Sequence, residues 1–379
     1  MLVYGIVLSL PGTVLGLPET VAELGLTLTC RGSLISALFV GLLIGSVLSG
    51  PVVDALGYRA SLALSSGLVA LAMPLLAVMR TPLLAGATIV ALGLASAGMN
   101  TASNALSSDL FPGERATRMN RLAILVGIGG VMMPVTTVVS SVLVSWRAVV
   151  VAGGVLAAFV ALACAWVPPV TTITAQPQSL ALALRRFARR PGFVWLAAAL
   201  LLGGGNEAAL AGWISTYLQA EGFSASAATW ILASHWVGLI VARSLLSPRV
   251  ERTKATAVFR SAVVGALSVA VFVLVGGGVW LAVMPFVIGC AIALVVPTML
   301  ALAGDRYPGN MSALFGLLLT LLQVGGIALP GAIGFISERA GLRAGVSLIA
   351  VSCLLVAVLV RLARHPDQVR SSSTSEETA

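Results

Sequence analysis

Apolar stretches of eighteen or more residues recur along the whole of this chain. Each is long enough to cross a hydrocarbon core of about 30 Å as an α-helix. Only 9% of the 379 residues are charged, whereas a soluble domain carries about 25%, so a surface of this composition suits lipid rather than water. Segments of about ten residues with alternating polarity, the signature of a membrane β-barrel, are not found. The sequence therefore predicts an all-α membrane protein.

Twelve transmembrane helices are predicted from these stretches, and only Gly276-Gly277-Gly278 separates the ninth from the tenth. The first stretch starts at Met1 without a basic leader or a small-residue cleavage site, which indicates a spanning helix and not a signal peptide. The predicted ranges are 1–18, 33–52, 60–79, 83–107, 121–144, 148–168, 192–218, 227–247, 257–276, 279–302, 312–336 and 344–362.

Arginine and lysine are concentrated in the connections that follow even-numbered helices and at the C-terminal end. The connections after odd-numbered helices hold fewer, namely Arg31, Arg80, Arg147, Arg339 and Arg343. Because positive residues stay on the cytoplasmic side, both termini are predicted to be cytoplasmic, in the inner or plasma membrane. The net charge of +9 is thereby interpreted as a topology signal and not as a nucleic-acid-binding surface.

The longest polar connection, 171–191, divides the chain into two groups of six helices. We predict an N-terminal six-helix bundle over 1–170, a cytoplasmic linker over 171–191 and a C-terminal six-helix bundle over 192–362. Residues 363–379 are rich in Ser, Thr and Glu, which predicts a disordered cytoplasmic tail.

Short segments of the first half recur in the second half at an offset of 196 to 197 residues. Such a parallel duplication predicts two pseudo-symmetric bundles related by an axis along the membrane normal. The substrate site would then lie near the midplane between them, and transport would occur by rocking. The matching segments are 48–54 with 245–251, 109–113 with 305–309, 129–134 with 325–330, and 147–148 with 343–344.

The connection between the second and third predicted helices runs from Gly50 to Arg59 and resembles the major facilitator signature G-x-x-x-D-(R/K)-x-G-(R/K). Ala55 stands where that family has a basic residue. Gly50 would permit close helix approach and Gly57 a tight turn. The resemblance implies a conformational latch, in which Asp54 and Arg59 pair with a neighbouring helix end in one state. A turn with a solvated Asp and Arg is the alternative.

Within that superfamily, three regions are similar to the fucose-permease or sugar:proton symporter group. The resemblance implies a proton-coupled permease for a sugar or a related small polar solute. The group usually carries buried carboxylates in its first half, whereas this chain has Asn100 and Asn104 in its fourth helix. The first region comprises Asn100 and Asn104 with the segments 119–121 and 127–129, the second is 206–218, and the third is 236–243.

Glu207 lies near the middle of the seventh predicted helix, where an ionisable group costs roughly 2.5–3.5 kcal/mol on insertion scales. Glu207 should therefore face a polar cavity or a partner side chain. In that position it would carry a proton or accept a hydrogen bond from a substrate hydroxyl. The alternative is a structural hydrogen bond to a neighbouring helix. His235, the only histidine in a predicted span, would relay a proton or pair with Glu207, or else serve packing alone.

The other candidate site residues are polar or aromatic. Asn100 and Asn104 are four residues apart and share one helix face, where two amides would bind sugar hydroxyls or else link helices. Asn206 and Gln323 are weaker candidates of the same kind. Trp213 would stack on a pyranose ring, although aromatic residues near helix ends more often form an interfacial belt.

No catalytic, metal-binding or cofactor-binding pattern is found in the sequence. The four cysteines are scattered, and the only lysine, Lys254, is not in a phosphate-binding loop. We therefore expect a secondary transporter and not an enzyme. It would act as a monomer in the bilayer on a small-molecule substrate and protons, with no cofactor, metal or nucleic acid. The open alternatives are an efflux antiporter for drugs or metabolites, and a channel or non-transporting receptor.

Overall fold

A computed structural model describes residues 1–111, 115–140, 145–166, 185, 187–190, 192–246, 253–275, 277–307 and 311–376. In this part of the chain the regular elements are all helices. They are α1 (Leu2–Val14), α2 (Pro18–Leu24), α3 (Leu28–Val78), α4 (Pro82–Leu110), α5 (Arg115–Ser140), α6 (Trp146–Trp166), α7 (Phe193–Ala220), α8 (Ala225–Leu246), α9 (Lys254–Leu274), α10 (Val279–Ile292), α11 (Val295–Arg306), α12 (Met311–Ala340) and α13 (Leu342–Glu376).

The helices account for twelve membrane crossings. Within the described residues, ten spans are long and apolar enough to cross by themselves, and α10 and α11 together form one of them. The short helices α1 and α2 qualify as a pair bent by 77°. At 51 residues, α3 would be about 75 Å long if straight, which is enough for two crossings. Gly57 divides it with a φ of 77° and a ψ of 168°, so the predicted tight turn at this glycine is confirmed.

Several predicted boundaries differ from the observed ones. The first helix ends at Val14 and not at residue 18, because Pro18 starts α2 in a new direction. The tenth predicted span is broken at Ala293-Leu294. The backbone of α13 is helical to Glu376, where the sequence predicts disorder from 363. Most of the predicted linker, namely 171–184, 186 and 191, lies outside the described residues.

The first glycine of each repeated Gly-Gly pair brings a helix against the first helix of its own half. A Cβ placed at Gly129 in α5 would lie 2.0 Å from the carbonyl oxygen of Leu2 in α1. A Cβ placed at Gly325 in α12 would lie 1.8 Å from the carbonyl oxygen of Leu201 in α7. Small residues permit such backbone contact between membrane helices.

The second glycine of each pair receives an aromatic ring from the opposite half. A Cβ at Gly130 would lie 2.5 Å from the indole of Trp236 in α8, and one at Gly326 would lie 2.3 Å from the ring of Phe39 in α3. Both glycines therefore serve the contact between the halves. This agreement confirms the two pseudo-symmetric bundles predicted from the repeat.

The repeat also places two ion pairs at equivalent positions. Arg147 binds Glu23 through both Nη atoms, and Arg343 binds Glu221 through Nε and Nη2 at 2.9 and 2.8 Å. Each pair joins two elements of one half, at the ends of helices. Arg147 also donates from Nε to the carbonyl oxygen of Ala77, near the end of α3. The pairs hold each half together and do not bridge the two halves.

Acidification is expected to weaken the Glu221–Arg343 pair. The hydrogen bond from Arg343 holds the pKa of the Glu221 carboxyl below its usual range, so the pair stabilises the fold above about pH 4.5 and is lost as pH falls through the lowered pKa. Because Arg343 is exposed and solvent screens the pair, the loss of stability should be small. Thermal unfolding of wild type and Glu221→Gln at pH 7 and pH 4 measures it. If the difference in thermal midpoint between wild type and Glu221→Gln is as large at pH 4 as at pH 7, the stabilising role of the Glu221–Arg343 pair is wrong.

The two halves are in contact at one face of the membrane. We call it the odd-loop face, because the connections that follow odd-numbered crossings lie there, namely those after α1, after the second part of α3, and after α7, α9 and α12. A Cβ at Gly12 in α1 would lie 1.7 Å from the carbonyl oxygen of Ala211 in α7. Ser36 in α3 donates to the carbonyl oxygen of Ile327 in α12 at 2.7 Å. These contacts close the passage between the halves at this face.

The opposite face, which we call the even-loop face, has open space at the matching ends of the same helices. A Cβ at Gly50 in α3 or at Gly316 in α12 would have no atom within 4 Å. The close helix approach predicted for Gly50 is therefore absent in this conformation. The helices α3 and α12 touch near the odd-loop face and are apart at Gly50 and Gly316, near the even-loop face.

Candidate substrate and coupling site

Glu207 lies midway along α7 and is paired with Arg243 of α8. Nη2 of Arg243 donates to Oε1 of Glu207 at 2.6 Å, and the two side chains are 13% and 29% exposed, respectively. The pair supplies the partner that an ionisable group at this depth requires. Tyr4 of α1, in the other half, lies within electrostatic range of Glu207.

Arg243 also binds the break between α10 and α11. Its Nε donates to the carbonyl oxygen of Ala293 at 3.1 Å. In a continuous helix this carbonyl would accept from residue 297, but Pro297 has no N–H to donate. Arg243 therefore satisfies a carbonyl that the proline leaves open, and it connects Glu207 to a broken spanning helix.

His235 is buried and contacts α10 instead of Glu207. Its Nδ1 lies 3.2 Å from the carbonyl oxygen of Pro285, and its side chain is 1% exposed. In the internal repeat, Gly289 and His235 correspond to Gly93 and Leu38. A Cβ at Gly289 would lie 2.2 Å from the carbonyl oxygen of His235, and a Cβ at Gly93 would lie 2.1 Å from the carbonyl oxygen of Leu38. Since the repeat pairs His235 with an apolar packing residue, the geometry favours packing over proton relay.

Asn206 and Gln323 are buried, and each leaves its side-chain oxygen without a hydrogen-bond partner among the described residues. The Asn206 amide nitrogen donates to Sγ of Cys353 at 3.3 Å. Asn206 and Glu207 both line a cavity of about 10 Å³, which is close to the space that one water molecule needs. Asn206 thus faces the interior of the second half.

Trp213, Asn100 and Asn104 are engaged within the protein. The Trp213 indole is 1% exposed and donates to the carbonyl oxygen of Pro330 at 3.3 Å, so no ring face is open to a sugar in this conformation. Asn104 donates to the side-chain oxygen of Asn100 at 2.8 Å. Both asparagines are half-buried, and their role as ligand contacts stays a prediction.

The residues of the predicted latch lie at the even-loop face. Asp54 and Arg59 are exposed on either side of the turn at Gly57. The pairing of Asp54 and Arg59 with a neighbouring helix end in one conformation stays a prediction, as does the part of Gly50 in the latch.

Sequence reasoning missed three charged residues that the structure places between or beside the helices of the passage. Arg243 was not singled out as a site residue, although Glu207 needs a partner and Arg243 lies in the next span. Arg31 also counted only as a loop charge. Glu338 was not singled out, because nothing in the sequence indicates that it contacts a residue 309 positions away.

Glu338 of α12 caps the N-terminus of α3 across the two halves. Its Oε2 accepts from the backbone N–H of Thr29 at 2.7 Å, while the side chain of Thr27 accepts from the N–H of Cys30. The first turn of a helix has N–H groups without partners inside the helix, and a carboxylate there is favoured by the helix dipole. Glu338 therefore holds the odd-loop face closed.

Replacing Glu338 by glutamine is expected to loosen the odd-loop face. Loss of a charged cap should speed amide exchange of residues 27–34 about five- to tenfold, as measured by hydrogen–deuterium exchange mass spectrometry. Glu221→Gln is the matched control, because its carboxylate lies at the same face but pairs within one half. Equal protection of these amides in wild type and Glu338→Gln would contradict the cap.

The fold and the paired midmembrane charges define a two-bundle membrane carrier. The family model of the Major Facilitator Superfamily matches residues 1–330. The chain therefore belongs to the Major Facilitator Superfamily, and it is a secondary transporter.

Solved structures with the same fold cover nearly the whole chain. A mutant of the nucleoside transporter NupG is 18% identical with a TM-score of 0.79, over 96% of this chain and 98% of that one. The fucose:proton symporter FucP of E. coli is 18% identical with a TM-score of 0.66, over 96% and 97%. A bacterial homolog of the human lysosomal transporter Spinster is 15% identical with a TM-score of 0.76, over 96% and 94%. A search of curated proteins gave no match.

Proposed function

We propose that this transporter moves a small polar solute together with a proton by alternating access, and that Glu207 is the coupling residue. The observation that carries the proposal is the Glu207–Arg243 pair, because it is a charge pair at mid-helix in a chain with few buried charges. A carboxylate that is 29% exposed can be reached by solvent protons. Its link through Arg243 to the α10–α11 break would couple protonation to a helix that is able to bend.

The distribution of arginine and lysine supports an orientation with the even-loop face in the cytoplasm. The described conformation would then be inward-facing, closed by the contacts of α1 with α7 and of α3 with α12. The names of two structural neighbours, a nucleoside transporter and a fucose:proton symporter, support a sugar-like or related polar solute.

Reconstitution into liposomes that contain a pH-sensitive dye tests this function. We expect an inward gradient of a transported solute to acidify the lumen, with a rate that saturates as the solute concentration rises. A panel of sugars, nucleosides and organic acids provides the solutes. Protein-free liposomes are the control. Solute flux with no accompanying proton movement would overturn proton coupling, and a rate that never saturates would favour a channel.

A further inference from the structure

The charges along the passage between the halves lie at two depths. Among the described residues, Glu207 is the carboxylate that lies far from both ends of its crossing, and Arg243 neutralises it. Closer to the odd-loop face, Arg31 of α3 lies against α7 of the other half. Glu338 lies at the same end of the passage as Arg31, against the first turn of α3, so the deeper part of the passage holds the Glu207–Arg243 pair alone among the described charges.

Arg31 has no carboxylate partner in the described part of the chain. Its Nη1 lies 3.4 Å from the hydroxyl of Thr216, and its Nε is buried without a hydrogen-bond partner. When the halves separate at the odd-loop face, Arg31 would line the entrance.

Protonation of Glu207 changes the charge balance deeper in the passage. Once its carboxylate is neutral, Arg243 has no counter-charge, and an unpaired charge at this depth is costly. Among the described residues, Tyr4 of α1 and Cys353 of α13 are the other titratable groups near Glu207, and neither side chain supplies a negative charge in its ordinary protonated form. A neutral solute would leave this imbalance, whereas an anionic solute would remove it.

We infer that the solute carried with the proton is a small organic acid in its carboxylate form, and that Arg243 is the residue that binds it. The solute carboxylate takes the place of Glu207 on the planar guanidinium, which matches a carboxylate with two parallel hydrogen bonds. The proton stays on Glu207, so proton and anion cross together as a neutral pair. The inference rests on the proposed proton coupling and narrows its substrate class.

A chemical-rescue experiment tests whether Arg243 accepts a foreign carboxylate. Glu207→Ala leaves space beside Arg243, and acetate should raise its thermal midpoint by about 2 °C or more relative to acetamide, a neutral molecule of the same shape, at matched ionic strength. The difference should vanish in the double variant Glu207→Ala/Arg243→Ala. Equal effects of acetate and acetamide, or a difference that persists without Arg243, would overturn the inference.

A second measurement uses the wild-type protein and so does not depend on the folding of a variant. One sample of proteoliposomes receives a mixture of small organic acids, and a second sample receives a mixture of the corresponding neutral amides and alcohols. The pH of the lumen is measured in both. The inference is supported if the acid pool acidifies the lumen of proteoliposomes more than that of protein-free liposomes. The neutral pool should then acidify both kinds of liposome equally. Proton movement driven only by neutral solutes, or by neither pool, overturns it. The first of these failures would leave proton coupling through Glu207 intact.

Discussion

Replacing Glu207 by glutamine is expected to reduce solute-driven proton movement to the level of protein-free liposomes. Glutamine keeps the size of the side chain and a hydrogen-bonding oxygen for Arg243, but it cannot bind and release a proton. The variant should still fold, because the glutamine side-chain oxygen still accepts from Arg243, but its thermal midpoint should be below that of the wild type, since Arg243 loses its counter-charge. Lumenal pH in proteoliposomes measures the effect, and circular dichroism confirms the helical fold.

The control for this variant is Glu221→Gln. That carboxylate lies outside the spanning helices and is paired with Arg343 inside its own half, so its loss should leave proton movement near the wild-type rate. Solute-driven proton uptake that persists in Glu207→Gln at half the wild-type rate or more would remove Glu207 from the coupling step.

Replacing Gly325 by alanine is expected to destabilise the protein by about 3 kcal/mol, since the added methyl group would overlap the backbone of a neighbouring helix. A Cβ at this position lies 1.8 Å from the carbonyl oxygen of Leu201, and a backbone atom cannot move aside as a flexible side chain can. The helices α7 and α12 would have to separate. The midpoint of thermal unfolding in detergent measures the loss.

Gly316 offers a matched control in the same helix, because a Cβ there meets no atom within 4 Å. Gly316→Ala should be neutral or stabilising by up to about 1 kcal/mol, as expected for alanine in a helix interior. Gly129→Ala, at the repeated position in α5, should behave like Gly325→Ala. If Gly325→Ala and Gly316→Ala unfold at the same temperature, the close approach of α7 and α12 is wrong.

Much of the fold could be predicted because lipid imposes simple requirements on a chain. A spanning segment must be apolar and long, so composition and length identified the crossings. The segments 129–134 and 325–330 were identified as repeats, and the structure places Gly129 and Gly325 of these segments at equivalent backbone contacts. The bend after Val14 and the break at Ala293-Leu294 were not predicted in this way, because the length and average hydropathy of a span do not locate a bend inside it.

The candidate site was predicted less completely. Glu207 was identified because a charge inside a span needs an explanation, but pairing with His235 was one of the alternatives for it and Arg243 was not considered. The structure pairs Glu207 with Arg243, while the repeat gives His235 a packing position equivalent to that of Leu38. Periodicity within α8 gives the relative directions of His235 and Arg243, but not which neighbouring helix each one faces.

The sequence by itself determined that this protein spans the membrane as two related bundles, because segment length, apolar content and internal repetition are properties of the chain alone. The tertiary structure decided which charges meet. Glu207 and Arg243, like Glu338 and the N-terminus of α3, lie on different helices. Their contact depends on how those helices pack, and side-chain packing between helices is not encoded in the hydrophobicity of any single segment.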